Sequence, residues 1–293
     1  MLGTDLVTQL APEHEVIGVG LSLVSHIHVP YRQVDLAKSD LTEELIREVR
    51  PEVILHAAAM THVDGCETQR AEALRGNFEA TRNVVNAVGR SDALIIFFST
   101  DFVFDGSKTE PYTEEDLPRP LSVYGETKLL AERYLLMRAK RYLILRTSWL
   151  FGQWGDNFPK KILKRAEGKT PFPVISDQVG NPTYTGDLAE AVSKILGFLS
   201  QKKIPAHENQ IYHIANEGIV SRCDFARAVL RKRNFSPELA VPVSSSAAPP
   251  LLAARPRNSA LSTEKIKQRL GIRLRAWEEA LDAYFQKDVG VKA

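Results

Sequence analysis

The stretch 93-ALIIFFST-100 is the most continuous apolar run of the chain, and it decides the fold. It is apolar at successive positions, so both faces of the strand it forms would be buried, which is typical of parallel sheets covered by helices. Parallel neighbours need crossover connections, which are usually helices. Strands and helices alternate on both sides of this run. The pattern predicts an α/β fold with a doubly wound, mainly parallel sheet.

The regular alternation ends near residue 150, so 1–150 and 151–293 are treated as two regions. Further strands are predicted at 15–20, 51–59, 142–150 and 210–216. Helices are predicted over 2–10, 39–49, 68–90, 122–140, 156–168, 184–200, 221–233 and 276–286. The segment 237–258 is rich in Pro, Ala and Ser. Its composition fits a flexible linker and an ordered loop over a site equally well.

The composition excludes several classes of protein. The 293 residues include 38 basic and 36 acidic side chains, a balance that argues against electrostatic binding of nucleic acid. Cys66 and Cys223 are the only cysteines, so a reducing compartment is expected. No run reaches about 18 uninterrupted apolar residues, and no signal peptide is visible. We therefore expect a cytoplasmic protein without a membrane span.

Tyr124 and Lys128, in LSVYGETKLLAERYLL, stand four residues apart on a predicted helix and so share one face. A nearby ammonium favours the phenolate and would lower the pKa of the tyrosine towards working pH. Such a tyrosine can protonate a carbonyl oxygen while a hydride attacks the carbon. A surface helix with a half-buried tyrosine would show the same spacing, so the pair alone does not define a site.

Ser99, Thr100 and Asp101 follow the apolar run at its carboxyl end. Ligands of α/β proteins bind at that edge of the sheet, where Thr100 could hydrogen-bond the same carbonyl. A capping or turn-forming cluster would use the same residue types. A hydroxyl at one strand end and a Tyr/Lys pair on the next helix can nevertheless converge on one point.

Two further strand ends suit a flat ligand. Ala57, Ala58 and Ala59 are small enough for a ligand to lie against the backbone, although tight helix packing would also explain them. In QVDL, Leu36 could support an adenine while Asp35 accepts from its amino group, or the segment is a capped loop. The glycine-rich phosphate loop of a dinucleotide fold has no intact copy in the sequence.

Five blocks together resemble the dTDP-4-dehydrorhamnose reductases, a family within the extended short-chain dehydrogenase/reductase superfamily. They occur in the family's order and span nearly the whole chain. The blocks are STDFVFDG (99–106), PLSVYGETKLLAE (120–132), RTSWLFG (146–152), ISDQVGNPT (175–183) and ARPRNSALSTEK (254–265).

The resemblance implies reduction of the C4 keto group of a dTDP-sugar with NADPH or NADH. It makes Tyr124 the proton donor, gives Lys128 contact with the nicotinamide ribose, and lets Thr100 polarise the substrate carbonyl. The residues expected to line the cofactor, besides Tyr124 and Lys128, are Leu2, Gly3, Asp35, Leu36, Ala58, Ala59 and Thr61. Those expected to face the sugar nucleotide are Trp149, Asn157, Gln178, Arg255 and Asn258. The resemblance also favours an ordered substrate loop, rather than a linker, for residues 237–258.

The start of the sequence departs from the family pattern of a strand followed by G-x-x-G-x-x-G, because Gly3 matches only the last glycine. The apolar residues of this segment share one helical face: Leu2, Leu6, Val7 and Leu10. We therefore expect a preceding strand and glycine loop of about ten residues, with the strand between those at 15–20 and 93–100. Gly3 would let the helix pack closely against it.

The second strand ends at Gly20 rather than at a carboxylate, which leaves room for a 2′-phosphate and favours NADPH. The nearest arginine is Arg32, which does not follow directly. His26 and His28 could share a strand face, but no third ligand accompanies them, so no metal site is predicted.

Two other functions fit the same blocks. One is a related sugar-nucleotide reductase or epimerase, and the other is a non-catalytic subunit resembling the regulatory β subunit of methionine adenosyltransferase. Thr100, Tyr124 and Lys128 together favour the enzyme. A homodimer is compatible with the family.

Overall fold

The computed structural model describes residues 1–22, 27–89, 91–201, 210–247 and 251–287. The α-helices are α1 Leu2–Leu10, α2 Ser39–Val49, α3 Val63–Thr68, α4 Arg70–Leu74, α5 Ala80–Val88, α6 Val123–Arg138, α7 Phe158–Ala166, α8 Thr185–Ser200, α9 Arg222–Lys232, α10 Glu264–Leu270 and α11 Trp277–Lys287. The strands are β1 Gly18–Gly20, β2 Tyr31–Gln33, β3 Val53–His56, β4 Leu94–Thr100, β5 Tyr142–Thr147, β6 Leu150–Phe151, β7 Phe172–Ile175, β8 Val179–Gly180, β9 Thr183–Tyr184, β10 Gln210–His213, β11 Val220–Ser221 and β12 Ala240–Val243.

The central sheet has the order β10-β5-β4-β3, and every neighbouring pair in it is parallel. Strand β4 is buried along its whole length. Its residues at 94, 96 and 98 join a core formed with α1 and α8, whereas those at 95 and 97 join a second core formed with α5 and α6. This two-sided burial confirms the predicted doubly wound α/β fold.

A third core lies among α7, α9 and α11 together with strands β7 and β12. Strand β12 pairs in parallel with β7, so this part of the Pro-, Ala- and Ser-rich segment is a strand rather than a linker. The composition concealed it, because Pro242 interrupts the apolar pattern of a strand at the edge of its sheet. Residues 248–250 lie outside the described ranges.

The helix predicted over 68–90 is a succession of shorter helices. It begins earlier, at α3, and Gln69 leaves the helical region between α3 and α4. A π-helical turn at Arg75–Glu79 connects α4 to α5 and directs Asn77 into the interior. Such turns occur frequently at functional sites. The Asn77 side chain hydrogen-bonds the backbone N–H of Met60 (2.7 Å) and the Thr127 hydroxyl (3.0 Å).

Strands β1 and β2 form a separate parallel pair that shares no ladder with the central sheet in the described ranges. A cleft of about 1520 Å³, lined by residues of β1, β3 and α1, lies between the two sheets. We call this cleft the strand slot. The expected position of an added strand, next to β4, is wrong: β3 and β5 already occupy both edges of β4.

Helix α1 buries its apolar stripe mainly against α8 and β4, with Leu2, Leu6 and Leu10 each at most 7% exposed. Val7 is only half-buried and faces the strand slot. A Cβ built on Gly3 would meet no described atom within 4 Å, so no described segment explains the glycine by close packing.

Filling the strand slot should stabilise the protein. An extension ahead of Met1 that carries an apolar strand and a glycine-rich turn should pair with β1 and β3, since each new backbone hydrogen bond contributes about 0.5–1.5 kcal/mol. Thermal unfolding of the extended and 293-residue chains should show a melting temperature higher by several degrees in the former. An extension of equal length with charges at alternate positions is the control. Equal melting temperatures for all three chains would show that the slot does not accept a strand.

Candidate functional site

The site lies at the carboxyl end of β4, where a 3₁₀ turn at Asp101–Val103 leads the chain away from the sheet. Helix α6 begins directly beside this turn. A Cβ on Gly125 would lie 2.2 Å from the Phe102 carbonyl oxygen, so only glycine allows this approach. Ser122 caps the helix by accepting from the Gly125 N–H. The first turn of α6 thereby brings Tyr124 to the end of β4.

The predicted convergence of Thr100 and Tyr124 is present in the geometry. The Thr100 hydroxyl lies close enough to the Tyr124 phenol to affect its pKa; it donates to Asp101 Oδ1 (3.1 Å) and accepts from the Phe102 N–H (3.2 Å). The Phe102 ring meets the Tyr124 ring edge to face, with centroids 5.8 Å apart. These contacts fix the two hydroxyl groups on one side of the sheet edge.

The expectation that Lys128 lowers the pKa of Tyr124 is wrong for this structure. Burial raises the pKa of the Tyr124 phenol well above its ordinary value near 10, and the nearby Thr100 hydroxyl opposes this only in part. Desolvation acts on both groups, since it also lowers the pKa of Lys128 to about 7. The phenol is therefore protonated at neutral pH and can act as an acid.

Lys128 lies in the interior at 2% exposure, with its Nζ 3.9 Å from the centroid of the Phe97 ring. One helical turn further on, the Glu132 carboxylate favours the charged lysine and so opposes the lowering of its pKa. Glu132 itself accepts three hydrogen bonds from Arg146, the shortest at 2.7 Å, and both residues of this pair are buried.

The residues expected along the cofactor lie in two places. Asp35 accepts from the Ala37 N–H (3.0 Å) and forms an ion pair with Arg75, while Leu36 packs against the core beside α5 and α6. After β3, Ala59 is half-buried, and Ala58 and Thr61 are exposed. Small, accessible groups therefore line the loop that Asn77 holds in place.

Trp149 has a backbone φ of +43°, a left-handed conformation that is strained for an aromatic residue. Its indole Nε1 donates to Ser259 Oγ (3.1 Å). A Cβ on Gly180 would lie 2.6 Å from the indole ring, so the backbone of β8 packs directly against it. Strain of this kind clusters at active sites and ligand clamps.

Three other residues expected to face the sugar nucleotide use their amides within the protein. Gln178 Oε1 accepts from Arg222 Nε (3.0 Å). Asn157 caps α7 and also donates to the Gly152 carbonyl (2.6 Å). Asn258 Nδ2 lies within hydrogen-bonding distance of three consecutive carbonyls at 108–110. The described contacts give these side chains a supporting role around the site.

Arg255 forms a bidentate ion pair with Asp64, at the start of α3, with the shortest distance 2.6 Å. Asp64 also accepts from the Ala253 N–H (3.0 Å). The Arg255 guanidinium lowers the pKa of the Asp64 carboxyl below its usual value. This pair joins the substrate loop to the loop that follows β3.

The sequence predicted no role for two charged residues of the site, Asp101 and Arg222. Burial raises the pKa of Asp101 to about 6, and its Oδ2 has no hydrogen-bond partner among the described residues. Arg222, at the start of α9, lies with its guanidinium carbon 4.3 Å from the centroid of the Trp149 ring. The acid directly after Thr100 was a signal for Asp101, whereas no motif points to Arg222.

Metal ligation and membrane insertion find no support in the described ranges. No group of three His, Cys, Asp or Glu side chains there could hold a metal ion, and His26 lies outside them. No helix within them has the length and apolarity needed to cross a membrane.

A parallel, doubly wound sheet with a threonine and a tyrosine at its carboxyl edge, and a buried lysine one turn further along the same helix as the tyrosine, is typical of the Rossmann-like proteins of the short-chain dehydrogenase/reductase type. The profile of one family, described as RmlD substrate binding domain, matches residues 1–289. The chain belongs to this family.

Relatives agree with this assignment. The chain is 37% identical over 258 residues to the dTDP-4-dehydrorhamnose reductase of Aggregatibacter actinomycetemcomitans, with 86% of each chain covered. It is 33% identical to that of Escherichia coli, covering 94% of this chain and 91% of the relative. Among solved structures, the Bacillus anthracis dTDP-4-dehydrorhamnose reductase in complex with NADP superposes with a TM-score of 0.83 at 29% identity, covering 98% and 96% of the two chains.

Replacing the buried lysine tests its electrostatic environment. Because the folded pKa of Lys128 is about 7, the unfolded chain binds more protons between pH 7 and the ordinary lysine value near 10.5. This lysine therefore makes stability increase with pH across that interval. Lys128→Met should raise the melting temperature at pH 7 and flatten its rise up to pH 10.

The exposed Lys194 on α8, paired with Glu190, is the matched control. Lys194→Met should change the melting temperature little at either pH. A Lys128→Met chain that melts lower than the parent at pH 7 would show that the lysine is net stabilising where it lies.

Proposed function

We propose that this protein is an NAD(P)H-dependent reductase that converts the C4 keto group of dTDP-4-dehydro-rhamnose into the hydroxyl of dTDP-rhamnose. The observation that carries the proposal is that Thr100, at the end of β4, and Tyr124, in the first turn of α6 beside Phe102, lie together at the sheet edge in a chain of this family. The relatives named as dTDP-4-dehydrorhamnose reductases supply the substrate.

The residues at this edge fit a nicotinamide dinucleotide. Lys128 lies four residues after Tyr124 on α6, and in the proposed complex its amino group would donate to ribose hydroxyls. Ala58 and Ala59 leave the backbone after β3 open to a flat ring, and Leu36 offers an apolar surface near Asp35. Helix α1 begins at Leu2–Gly3, where free N–H groups of a first turn suit a pyrophosphate.

Residues of the chain itself hold the proton and donate it. Burial keeps the Tyr124 phenol protonated at neutral pH, so it can donate to the carbonyl oxygen as that oxygen gains charge. The Thr100 hydroxyl, which accepts from the Phe102 N–H, would turn its one proton from Asp101 Oδ1 to the same oxygen and so donate a second hydrogen bond there. The bound dinucleotide supplies the hydride.

The finer assignments are also proposals. Strand β1 ends at Gly20 and so carries no carboxylate that would bind a ribose 2′-hydroxyl, which favours NADPH over NADH. Residues 1–150 would hold the dinucleotide and 151–293 the sugar nucleotide, with Trp149 at the junction. A cytoplasmic location accords with the two unpaired, buried cysteines Cys66 and Cys223. A homodimer remains compatible with the family.

Removing only the phenol oxygen tests the proton donor. Tyr124→Phe should lower turnover of dTDP-4-dehydro-rhamnose by about 10²–10⁴-fold, the usual contribution of general acid catalysis, while the NADPH dissociation constant stays within about twofold. Consumption of NADPH and direct binding measure the two quantities. Tyr134→Phe, on the same helix but bonded to Asn86, is the control and should keep full turnover. Turnover of Tyr124→Phe within twofold of the parent would remove the phenol from the mechanism.

Replacing Arg255 tests the residues proposed to bind the sugar nucleotide. Arg255→Ala should weaken dTDP-rhamnose by roughly tenfold or more while changing NADPH affinity little, because a guanidinium binds phosphate through charged hydrogen bonds. Calorimetry with each ligand provides the comparison. Asp64→Asn removes the partner but keeps the arginine. If Asp64→Asn weakens dTDP-rhamnose as much as Arg255→Ala does, Arg255 only anchors the loop.

A further inference from the structure

Arg222 is held rigidly although no part of the proposed reaction yet uses it. Its Nε donates to Gln178 Oε1 (3.0 Å), and its backbone N–H donates to the Gln178 carbonyl (3.1 Å). The guanidinium carbon lies 4.3 Å from the centroid of the Trp149 ring and 5.9 Å from that of Phe158. An arginine fixed by stacking and by one hydrogen bond presents its remaining donors in a defined direction.

Those remaining donors are uncommitted in the described part of the chain. A guanidinium carries five N–H groups, and the contacts found for Arg222 use only the one on Nε. No carboxylate of the described residues lies within 4.0 Å of it. The residue as a whole is half-buried, although burial lowers the pKa of the guanidinium.

Asp101 supplies the complementary group. Its carboxylate is close enough to Arg222 for the two charges to interact, although they form no ion pair. Asp101 is 2% exposed, and its Oδ1 accepts from Thr100. The Ser259 hydroxyl lies near enough to lower the pKa of this carboxyl, but Oδ2 has no partner at hydrogen-bond geometry among the described residues. An unmet acceptor and unmet donors thus lie near each other beside the hydroxyl that would polarise the carbonyl.

A hydroxyl satisfies both residues, because it donates one hydrogen bond and accepts others. We propose that Arg222 is a specificity-determining residue that donates to the sugar hydroxyl on the carbon next to the one reduced, while Asp101 accepts from that hydroxyl. The assignment rests on the proposed function for the identity of the sugar. Trp149 then acts as the platform that positions Arg222.

A phosphate group is an alternative ligand, because arginine commonly donates hydrogen bonds to phosphate oxygens. Arg255 is close enough to repel the charge of Arg222, which would favour a phosphate between them. The Asp101 carboxylate, however, would repel a phosphate beside Arg222. The local charges therefore favour a neutral hydroxyl.

The test compares a ligand that carries the sugar with one that lacks it. Arg222→Met keeps a long side chain over Trp149 but removes the donors. We expect its affinity for dTDP-rhamnose to fall by about 10- to 100-fold, as for a lost hydrogen bond from a charged group, whereas its affinity for dTDP stays within about twofold. Arg222→Lys should restore part of the loss.

Arg227→Met, on the same helix and half-buried beside Asp224, is the matched control and should change neither affinity. An equal loss for dTDP and dTDP-rhamnose would show that Arg222 binds the diphosphate, and unchanged affinity for both would show a structural role. Either result overturns the assignment. Turnover of dTDP-4-dehydro-rhamnose by the parent chain is measured separately. A parent chain that binds dTDP-rhamnose but does not reduce the keto sugar would contradict the proposed function and leave the assignment of Arg222 intact.

Discussion

The parallel pairing of β4 with β5 is the constraint on which the site depends. The ladder runs from Ile95 opposite Tyr142 to Thr100 opposite Thr147, so both strands end at the same edge of the sheet. Because side chains alternate along a strand, burial of both faces fixes the register, and a shift by one residue would exchange the two cores. The polar residues at this edge therefore take their positions from the apolar residues that pair along β4 and β5.

Residues 258–261 connect the two halves of the chain through isolated backbone bridges. Asn258 bridges Val179 in the second half, and Leu261 bridges Tyr112 in the first. A buried polar chain lies behind these bridges. His213 has its pKa lowered to about 3 by burial and by Arg146, and is neutral. Since Arg146 can only donate, His213 Nε2 accepts, and Nδ1 carries the proton towards the Tyr112 carbonyl (3.0 Å).

The sequence was informative where one physical rule dominated. The run at 93–100 required a buried strand, and the spacing of Tyr124 and Lys128 required one helix face; both are present. The pKa of Tyr124 could not be predicted, because desolvation depends on the packing around α6 rather than on residue spacing. Strand β12 and the π-helical turn at Arg75–Glu79 were missed because long-range pairing and a local insertion leave little periodic signal. Arg222 was missed because its partners Trp149 and Gln178 are distant in sequence.

The left-handed backbone at Trp149 has an evolutionary consequence. A conformation of this kind costs about 1–3 kcal/mol in a non-glycine residue, a sizeable share of the few kcal/mol by which most domains are stable. Glycine would relieve the strain but would remove the indole that supports Arg222 and bonds Ser259. Selection for thermal robustness alone would remove this tryptophan, so variants selected only for heat resistance are expected to lose ligand affinity here first. The residue marks a position where stability and recognition compete.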